Sequence, residues 1–321
     1  MIDFTRAFGT AWERMEIILF RPFDFGKWCA IGLSAFLAGL LQGGNGMNFN
    51  GNGFNNQKFG NYGGNQTPKL DFHQLGTGIA HFFSSMQGGI IILVVIFAVV
   101  VFFALTLLLY WLGAHGQFMF LDNVVRNRGA IAWPWKFYAR HAVSLMLFYL
   151  LFLVIILAMI LPIVVGAVVV CIPLIQHERW PEGGEIAILA ILALLYLGIA
   201  VVMGVVMFVF REFGVPLMFR HGILARAAFW QSMRLIGRHP GSVALFVLLR
   251  FAIAIGMVIL SVLVCCATCC IGALPYIGTV ILLPALVYVK CFTLDCLAQF
   301  GPECDVWTVD VAPVSPPPQP G

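Results

Sequence analysis

The run GIIILVVIFAVVVFFALTLLLYWL, Gly89 to Leu112, decides the fold of this chain because it contains no charged residue. It is longer than the roughly 20 residues that an α-helix needs to cross the hydrocarbon of a bilayer. Backbone groups in lipid must be hydrogen-bonded within the protein, so only helices and closed barrels cross membranes. Because the run lacks the polar–apolar alternation of a barrel strand, it predicts a transmembrane helix.

Two further runs, Ala142 to Ile175 and Ile186 to Phe210, are also uncharged and long enough to cross a bilayer. The composition agrees, with 61% hydrophobic residues, 10% charged residues and a mean hydropathy of +0.96. A soluble domain carries about 25% charged residues. The formal net charge of +4 is modest, and its distribution along the chain bears on membrane orientation and not on nucleic acid.

These runs predict an all-α, polytopic membrane helix bundle with about six transmembrane helices, in a single membrane domain over residues 1–300. We expect residues 43–66, which are rich in Gly and Asn, to form a disordered external loop, since they cannot bury enough apolar surface to offset their ordering entropy. Residues 301–321 are predicted to be a Pro-rich, disordered tail. The six spans are predicted at 28–41, 89–113, 142–173, 186–210, 241–265 and 276–297.

The N-terminal segment is predicted to be an amphipathic helix that ends near Pro22 and lies at the membrane surface. It lacks the pattern of a cleavable signal peptide, so none is expected. Its apolar residues recur at steps of three and four, which is the period of a helix: Phe4, Phe8, Ala11, Trp12, Met15, Ile18 and Leu19.

An internal repeat relates three segments of the chain. The segment WERMEIILFRP, residues 12–22, aligns without a gap with WQSMRLIGRHP, residues 230–240, through Trp, Met, Ile and Pro. AWPWKFYARHA, residues 132–142, aligns more weakly through its Arg-His pair. Each segment precedes an odd-numbered span. The pattern predicts three repeated units, each with an interfacial amphipathic helix and two spans: residues 1–115, 116–214 and 215–300.

The basic residues predict the orientation of the chain. Of the 18 Lys and Arg residues, 13 fall before span one, between spans two and three, or between spans four and five. The opposite side has only Lys58, Lys69 and Arg179. Because positive residues mark the cytoplasmic side, we expect both termini in the cytoplasm and the protein in the bacterial inner membrane.

The cysteine cluster CCATCC suits three interpretations. Four thiolates at this spacing are able to bind a metal, and two of them are able to form a disulfide on an oxidising side. The interpretation we favour is packing of small apolar side chains at a tight helix end, because no His or acidic residue lies nearby in sequence. The candidate metal ligands are Cys265, Cys266, Cys269 and Cys270.

Three charged residues near or within spans are candidate functional residues. Arg250 lies about ten residues into span five, where a charge is costly and often functional; the alternatives are snorkelling and a structural pairing. Asp122 and Asp295 lie in similar Leu-Asp pairs at the ends of spans two and six. We expect them to pair with Arg21, Arg140 or Arg238 and so hold surface helices to spans, with a proton or ion relay as the alternative.

Two Arg-His pairs are candidate contacts for anionic lipid headgroups: Arg140 with His141, and Arg238 with His239. The sequence contains no GxSxG, HExxH, Walker or GxGxxG motif, so we expect no enzymatic activity and no cofactor. The expected partners are the lipid bilayer and its anionic headgroups, without nucleic acid; protein partners cannot be named from sequence.

The segments LFRPFDFGKW, residues 19–28, and FMFLDNVVRNRGA, residues 118–130, resemble those of uncharacterised bacterial six-span membrane proteins. These proteins are similar to the membrane domain of some glycerophosphodiester phosphodiesterases. The resemblance implies a membrane fold, but this chain has no room for the catalytic barrel, so that activity does not carry over. We therefore expect a non-enzymatic membrane scaffold or lipid-associated protein, with a small-molecule or ion transporter or channel-like protein as the alternative.

Overall fold

The fold is all-helical across the described part of the chain, as predicted. A computed structural model describes residues 3–41, 86–176, 183–268 and 274–308 and contains no strand within those ranges. The Gly/Asn-rich segment 43–66 and most of the Pro-rich tail lie outside the described residues. The helices are α1 (Phe4–Phe20), α2 (Phe25–Leu40), α3 (Met86–Val125), α4 (Ala132–Phe137), α5 (Ala139–Gln176), α6 (Gly183–Val209), α7 (Val215–His221), α8 (Ala225–Arg238), α9 (Pro240–Ala267), α10 (Pro275–Ile281) and α11 (Leu283–Ala298).

Four helical stretches are long and apolar enough to cross a membrane, which supports the predicted membrane class. They are Leu93–Val125, Ala139–Val168, Gly183–His221 and Pro240–Ala267. They correspond to predicted spans two to five. The third stretch is continuous from α6 to α7 through a five-residue π-helical turn, Phe210–Gly214.

The helices at predicted spans one and six are shorter. Helix α2 has 16 residues, or about 24 Å of helix, against the roughly 30 Å of bilayer hydrocarbon. Predicted span six, residues 276–297, is not one continuous helix but two, α10 and α11, which are separated at Leu282. Pro284 lies in the first turn of α11, where its missing N–H has no helical partner to lose.

The chain divides into two compact units. Unit 1 consists of residues 1–49, 109–149 and 206–321, and unit 2 of residues 50–108 and 150–205. In unit 1, the buried face of α1 packs along α11. This face includes Ala11, Met15 and Ile18 from the predicted apolar stripe, whereas Trp12 is 59% exposed. In unit 2, large apolar side chains are exposed, such as Phe102 (72%) and Leu194 (71%).

Candidate functional site: three carboxylate clusters

Among the described residues of unit 1, three carboxylates are buried, each at or near the C-terminal end of an apolar helix. Asp122, Glu212 and Asp295 are 0%, 5% and 7% exposed, and they lie in the last turns of α3, in the π-helical turn after α6, and in the last turns of α11. A buried carboxylate is costly unless it is paired and hydrogen-bonded. The surroundings of these three residues therefore identify the polar sites of the protein.

Asp122 is paired with two arginines and a tyrosine. Arg128 donates to its Oδ2 from Nη2 at 2.7 Å and from Nε at 3.0 Å, while Arg126 Nε lies 3.1 Å from Oδ1. The Tyr138 hydroxyl donates to Oδ1 at 3.2 Å. The Trp133 ring lies 4.4 Å and 5.2 Å from the two guanidiniums. Asp122 thus joins the end of α3 to the α4–α5 corner.

Tyr138 acts as a neutral hydrogen-bond donor in this cluster. Its own burial and the neighbouring Asp122 carboxylate raise the pKa of the Tyr138 phenol, because both disfavour the phenolate. The tyrosine therefore keeps its proton at neutral pH and remains able to donate to Asp122.

Asp295 holds the N-terminal helix against α11. Arg14 Nε lies 3.2 Å from Oδ1, and the Thr10 hydroxyl donates to Oδ2 at 2.9 Å. The Arg14 guanidinium also stacks 3.9 Å from the centre of the Trp307 ring. These contacts connect residues from opposite ends of the chain, so Asp295 fixes the position of α1.

Glu212 lies in a larger cluster, built from several helices of unit 1. Its Oε1 is 3.6 Å from Arg250 Nη2 and 3.7 Å from Arg211 Nη2. Lys290 lies within electrostatic reach of the same carboxylate, and the nearby Thr293 hydroxyl donates to the Val289 carbonyl of its own helix at 3.1 Å.

The Glu212 cluster extends to two neutral polar side chains. Tyr149 lies within electrostatic reach of Arg211 and Glu212, and its hydroxyl donates to Gln117 Oε1 at 3.5 Å. Gln117 is 6% exposed. The polar cluster therefore runs from α3 and α5 to the π-helical turn, α9 and α11.

The predicted partners of the two aspartates were wrong. Arg21 instead pairs with Glu16 at the surface, at 2.5 Å, and both Arg140 and Arg238 are exposed. Asp295 instead contacts Arg14 and Thr10 of α1, and the predicted role of holding surface helices to spans stays a prediction. Arg250 forms a structural pairing with Glu212, which is one of the alternatives that the sequence left open.

The two Arg-His pairs are only partly free to meet a lipid headgroup. His141 Nε2 donates to the Gly222 carbonyl at 3.1 Å, and the His239 ring lies 5.7 Å from the Phe300 ring. The arginine of each pair is exposed. Headgroup binding by Arg140 and Arg238 stays a prediction.

The cysteine cluster is described only in part. Cys265 and Cys266 lie in the last turn of α9, and Cys266 is exposed. Cys269 and Cys270 lie outside the described residues. Within the described ranges, no three His, Cys, Asp or Glu side chains come together as a metal site would require. The packing, disulfide and metal interpretations stay predictions.

The comparisons with known proteins place the chain in a family without assigning an activity. Residues 2–306 match a family of unknown function, DUF7544. The chain belongs to this family. No curated protein and no solved structure matches the chain. The resemblance to the membrane domain of glycerophosphodiester phosphodiesterases has no support among these findings and stays a prediction.

Sequence reasoning missed five members of the Glu212 cluster. Three of them, Gln117, Arg211 and Glu212, fall between predicted spans, whereas Tyr149 and Lys290 fall within predicted spans three and six. A signal for Glu212 exists, because FMFLD, residues 118–122, aligns with FVFRE, residues 208–212. The acidic residue of each motif follows the end of an even-numbered span.

Proposed function

We propose that this chain is a six-span protein of the bacterial inner membrane with a non-enzymatic scaffold or lipid-associated role. The observation that carries the proposal is the pairing of Asp122 and Asp295 with groups of the protein itself. A carboxylate that acts in acid–base chemistry must reach a substrate proton. These two instead join helices, which is what a structural role requires.

Six spans are supported by the four long helices together with α2 and the α10–α11 pair. An even number of spans places both termini on one side of the membrane. The 13 basic residues before the odd-numbered spans assign that side to the cytoplasm.

The repeated segments also support the proposal. The aligned residues Trp12 and Trp230 are 59% and 58% exposed, although they lie on the separate helices α1 and α8. Exposed tryptophans are favoured at the headgroup level of a bilayer. Helices α1 and α8 would then both contact the membrane surface through the tryptophan that occupies the same position in each repeat.

Labelling of single cysteines in intact cells tests the topology. An impermeant maleimide should label Asn52→Cys in the Gly/Asn-rich loop and should not label Arg226→Cys until the membrane is opened. The unaltered chain serves as the control for labelling of native cysteines. Labelling of Arg226→Cys in intact cells, with Asn52→Cys protected, would contradict the orientation.

The lipid-associated role is tested by the lipids that remain with the protein. After purification in a mild detergent, acidic phospholipids should be enriched relative to the bulk membrane, and Arg140→Gln with Arg238→Gln should reduce that enrichment. A bound-lipid composition equal to that of the bulk membrane would argue against the role.

Transport is the second candidate, and the Glu212 cluster is the observation that favours it. Ionisable groups from several helices meet there, as is common where transporters bind substrates or ions. Proteoliposomes that hold the full chain should show no flux of protons or labelled phosphate under the scaffold proposal. Flux that is lost in Arg250→Gln would make transport the function.

A further inference from the structure

The Glu212 cluster contains more positive than negative charge. Arg250 and Arg211 lie within 4 Å of this one carboxylate, with Arg250 5% exposed and the Arg211 side chain 22% exposed, and Lys290 lies within electrostatic reach of it. The carboxylate that follows Lys290 on α11, Asp295, is already paired with Arg14. Buried charges that lack a counter-charge are strongly unfavourable. The cluster is therefore short of negative charge.

The same cluster has buried donors that lack an acceptor. Arg250 Nε, Arg211 Nε and Gln117 Nε2 are buried and have no hydrogen-bond partner. The guanidinium groups are pure donors, and the only acceptor of Gln117, its Oε1, is used by Tyr149. A buried donor without a partner is unfavourable, because it has lost its hydrogen bonds to water without replacement. What completes this cluster must therefore accept hydrogen bonds.

One kind of ligand would supply both the missing negative charge and the missing hydrogen-bond acceptors. Water supplies acceptor oxygens but no charge, whereas an oxyanion supplies both. Guanidinium groups fit phosphate oxygens especially well, because their planar N–H donors match the spacing of those oxygens. The π-helical turn that carries Arg211 and Glu212 is also a local geometry frequent at functional sites.

We propose that the Glu212 cluster is a binding site for a phosphate group, held by Arg250, Arg211, Lys290 and the Gln117 amide. The phosphate is either that of an acidic phospholipid headgroup or a free phosphate ion. The site is separate from the exposed Arg140 and Arg238, and it does not depend on the scaffold role proposed above.

Gln117→Glu tests the site by supplying a fixed negative charge with almost no change in shape. In phosphatidylcholine nanodiscs, sodium phosphate should raise the Tm of the unaltered chain above that in sodium chloride of equal ionic strength. Gln117→Glu should have the higher Tm in chloride and should bind phosphate at least tenfold more weakly. A Gln117→Glu protein that responds to phosphate like the unaltered chain would overturn the proposal.

Lys290→Met tests the same site by removing one of its cations. Its phosphate affinity provides a second measurement if Gln117→Glu does not fold. It removes one surplus charge, so we expect at least a tenfold loss of phosphate affinity. Arg14→Gln is the matched control, because it removes a cation from the balanced Asp295 pair. It should lower the Tm and leave the response to phosphate unchanged; loss of the response in this control would contradict the assignment.

The two sources of phosphate are separated by the choice of nanodisc. A Tm rise with sodium phosphate in phosphatidylcholine identifies a free anion. A rise only in phosphatidylglycerol nanodiscs, reduced in Gln117→Glu, identifies a lipid headgroup. No response to either probe would refute the site, while leaving the cysteine-labelling test of the proposed function unaffected.

Discussion

Unit 1 and unit 2 differ in whether their described residues include buried charged groups. Unit 1 buries Asp122, Glu212 and Asp295 with their cationic partners. Unit 2 exposes large apolar side chains such as Phe97 and Leu194, at 66% and 71%. A surface of this kind is stable only in an apolar solvent. Unit 1 also exposes apolar side chains on α9, such as Leu248 at 67%, so among the described residues the difference is that only unit 1 buries charged groups and uses them to hold its helices together.

Asp122→Ala should produce the largest loss of stability. It leaves Arg126 and Arg128 without their carboxylate, and breaking a buried pair costs about 3 kcal/mol or more. Thermal unfolding in detergent micelles, followed by tryptophan fluorescence, measures the loss. Glu16→Ala breaks an exposed pair whose side chains are 39% and 69% exposed, so it should change stability by less than about 1 kcal/mol. Equal losses in the two variants would show that burial of the charge in unit 1 is unimportant.

Gly116→Ala should have the next largest effect, because α3 and α2 approach closely at this residue. A Cβ on Gly116 would overlap the backbone at Leu37 and Ala38. Overpacking of this kind costs about 1–3 kcal/mol. Gly198→Ala in unit 2 has open space around it, so the better helix propensity of alanine should leave stability unchanged or raise it by up to about 1 kcal/mol.

The two glycine variants are compared in the same unfolding assay. Opposite signs are expected, since only Gly116 lies at a close contact between helices. If Gly198→Ala lowered stability as much as Gly116→Ala, the helices of unit 2 would be packed as closely as those of unit 1. That result would contradict the difference drawn between the two units.

Thr10→Val is expected to have the smallest effect of the three destabilising substitutions, after Asp122→Ala and Gly116→Ala. It removes the hydrogen bond to Asp295 at 2.9 Å, and a bond to a charged group contributes about 1.5–3 kcal/mol. Since Arg14 stays paired with Asp295, the loss should be near the lower value. Thr106→Val in unit 2 removes only a bond to the Phe102 carbonyl of its own helix, so it should be neutral. Equal losses would argue that hydrogen bonding matters alike in the two units.

The long apolar helices were predictable because lipid imposes a simple rule on composition. The run from Gly89 to Leu112 must be helical if it crosses a bilayer, and α3 contains it entirely. The N-terminal helix was predictable from its period, and α1 ends at Phe20, close to Pro22. In both cases the decisive information lies within one segment.

The polar clusters were not predictable, because their members come from distant parts of the chain. Arg14 and Asp295 meet through the packing of α1 on α11, and the period of neither helix identifies the other as its partner. Arg140 and Arg238 were plausible partners for the aspartates by position alone. The break at Leu282 had a signal in Pro284, but the apolar composition on both sides outweighed it.

The central claim is that the exposed apolar side chains of unit 2, such as Leu194, face lipid, whereas the exposed charged face of α1 in unit 1, which includes Glu13, faces water. An unnatural amino acid that carries a nitroxide, placed at Leu194 or at the exposed Glu13, tests it in the reconstituted full chain. The label at residue 194 should collide readily with oxygen and poorly with a water-soluble nickel chelate, and the label at residue 13 should show the reverse. Nickel access at residue 194 equal to that at residue 13 would contradict the claim.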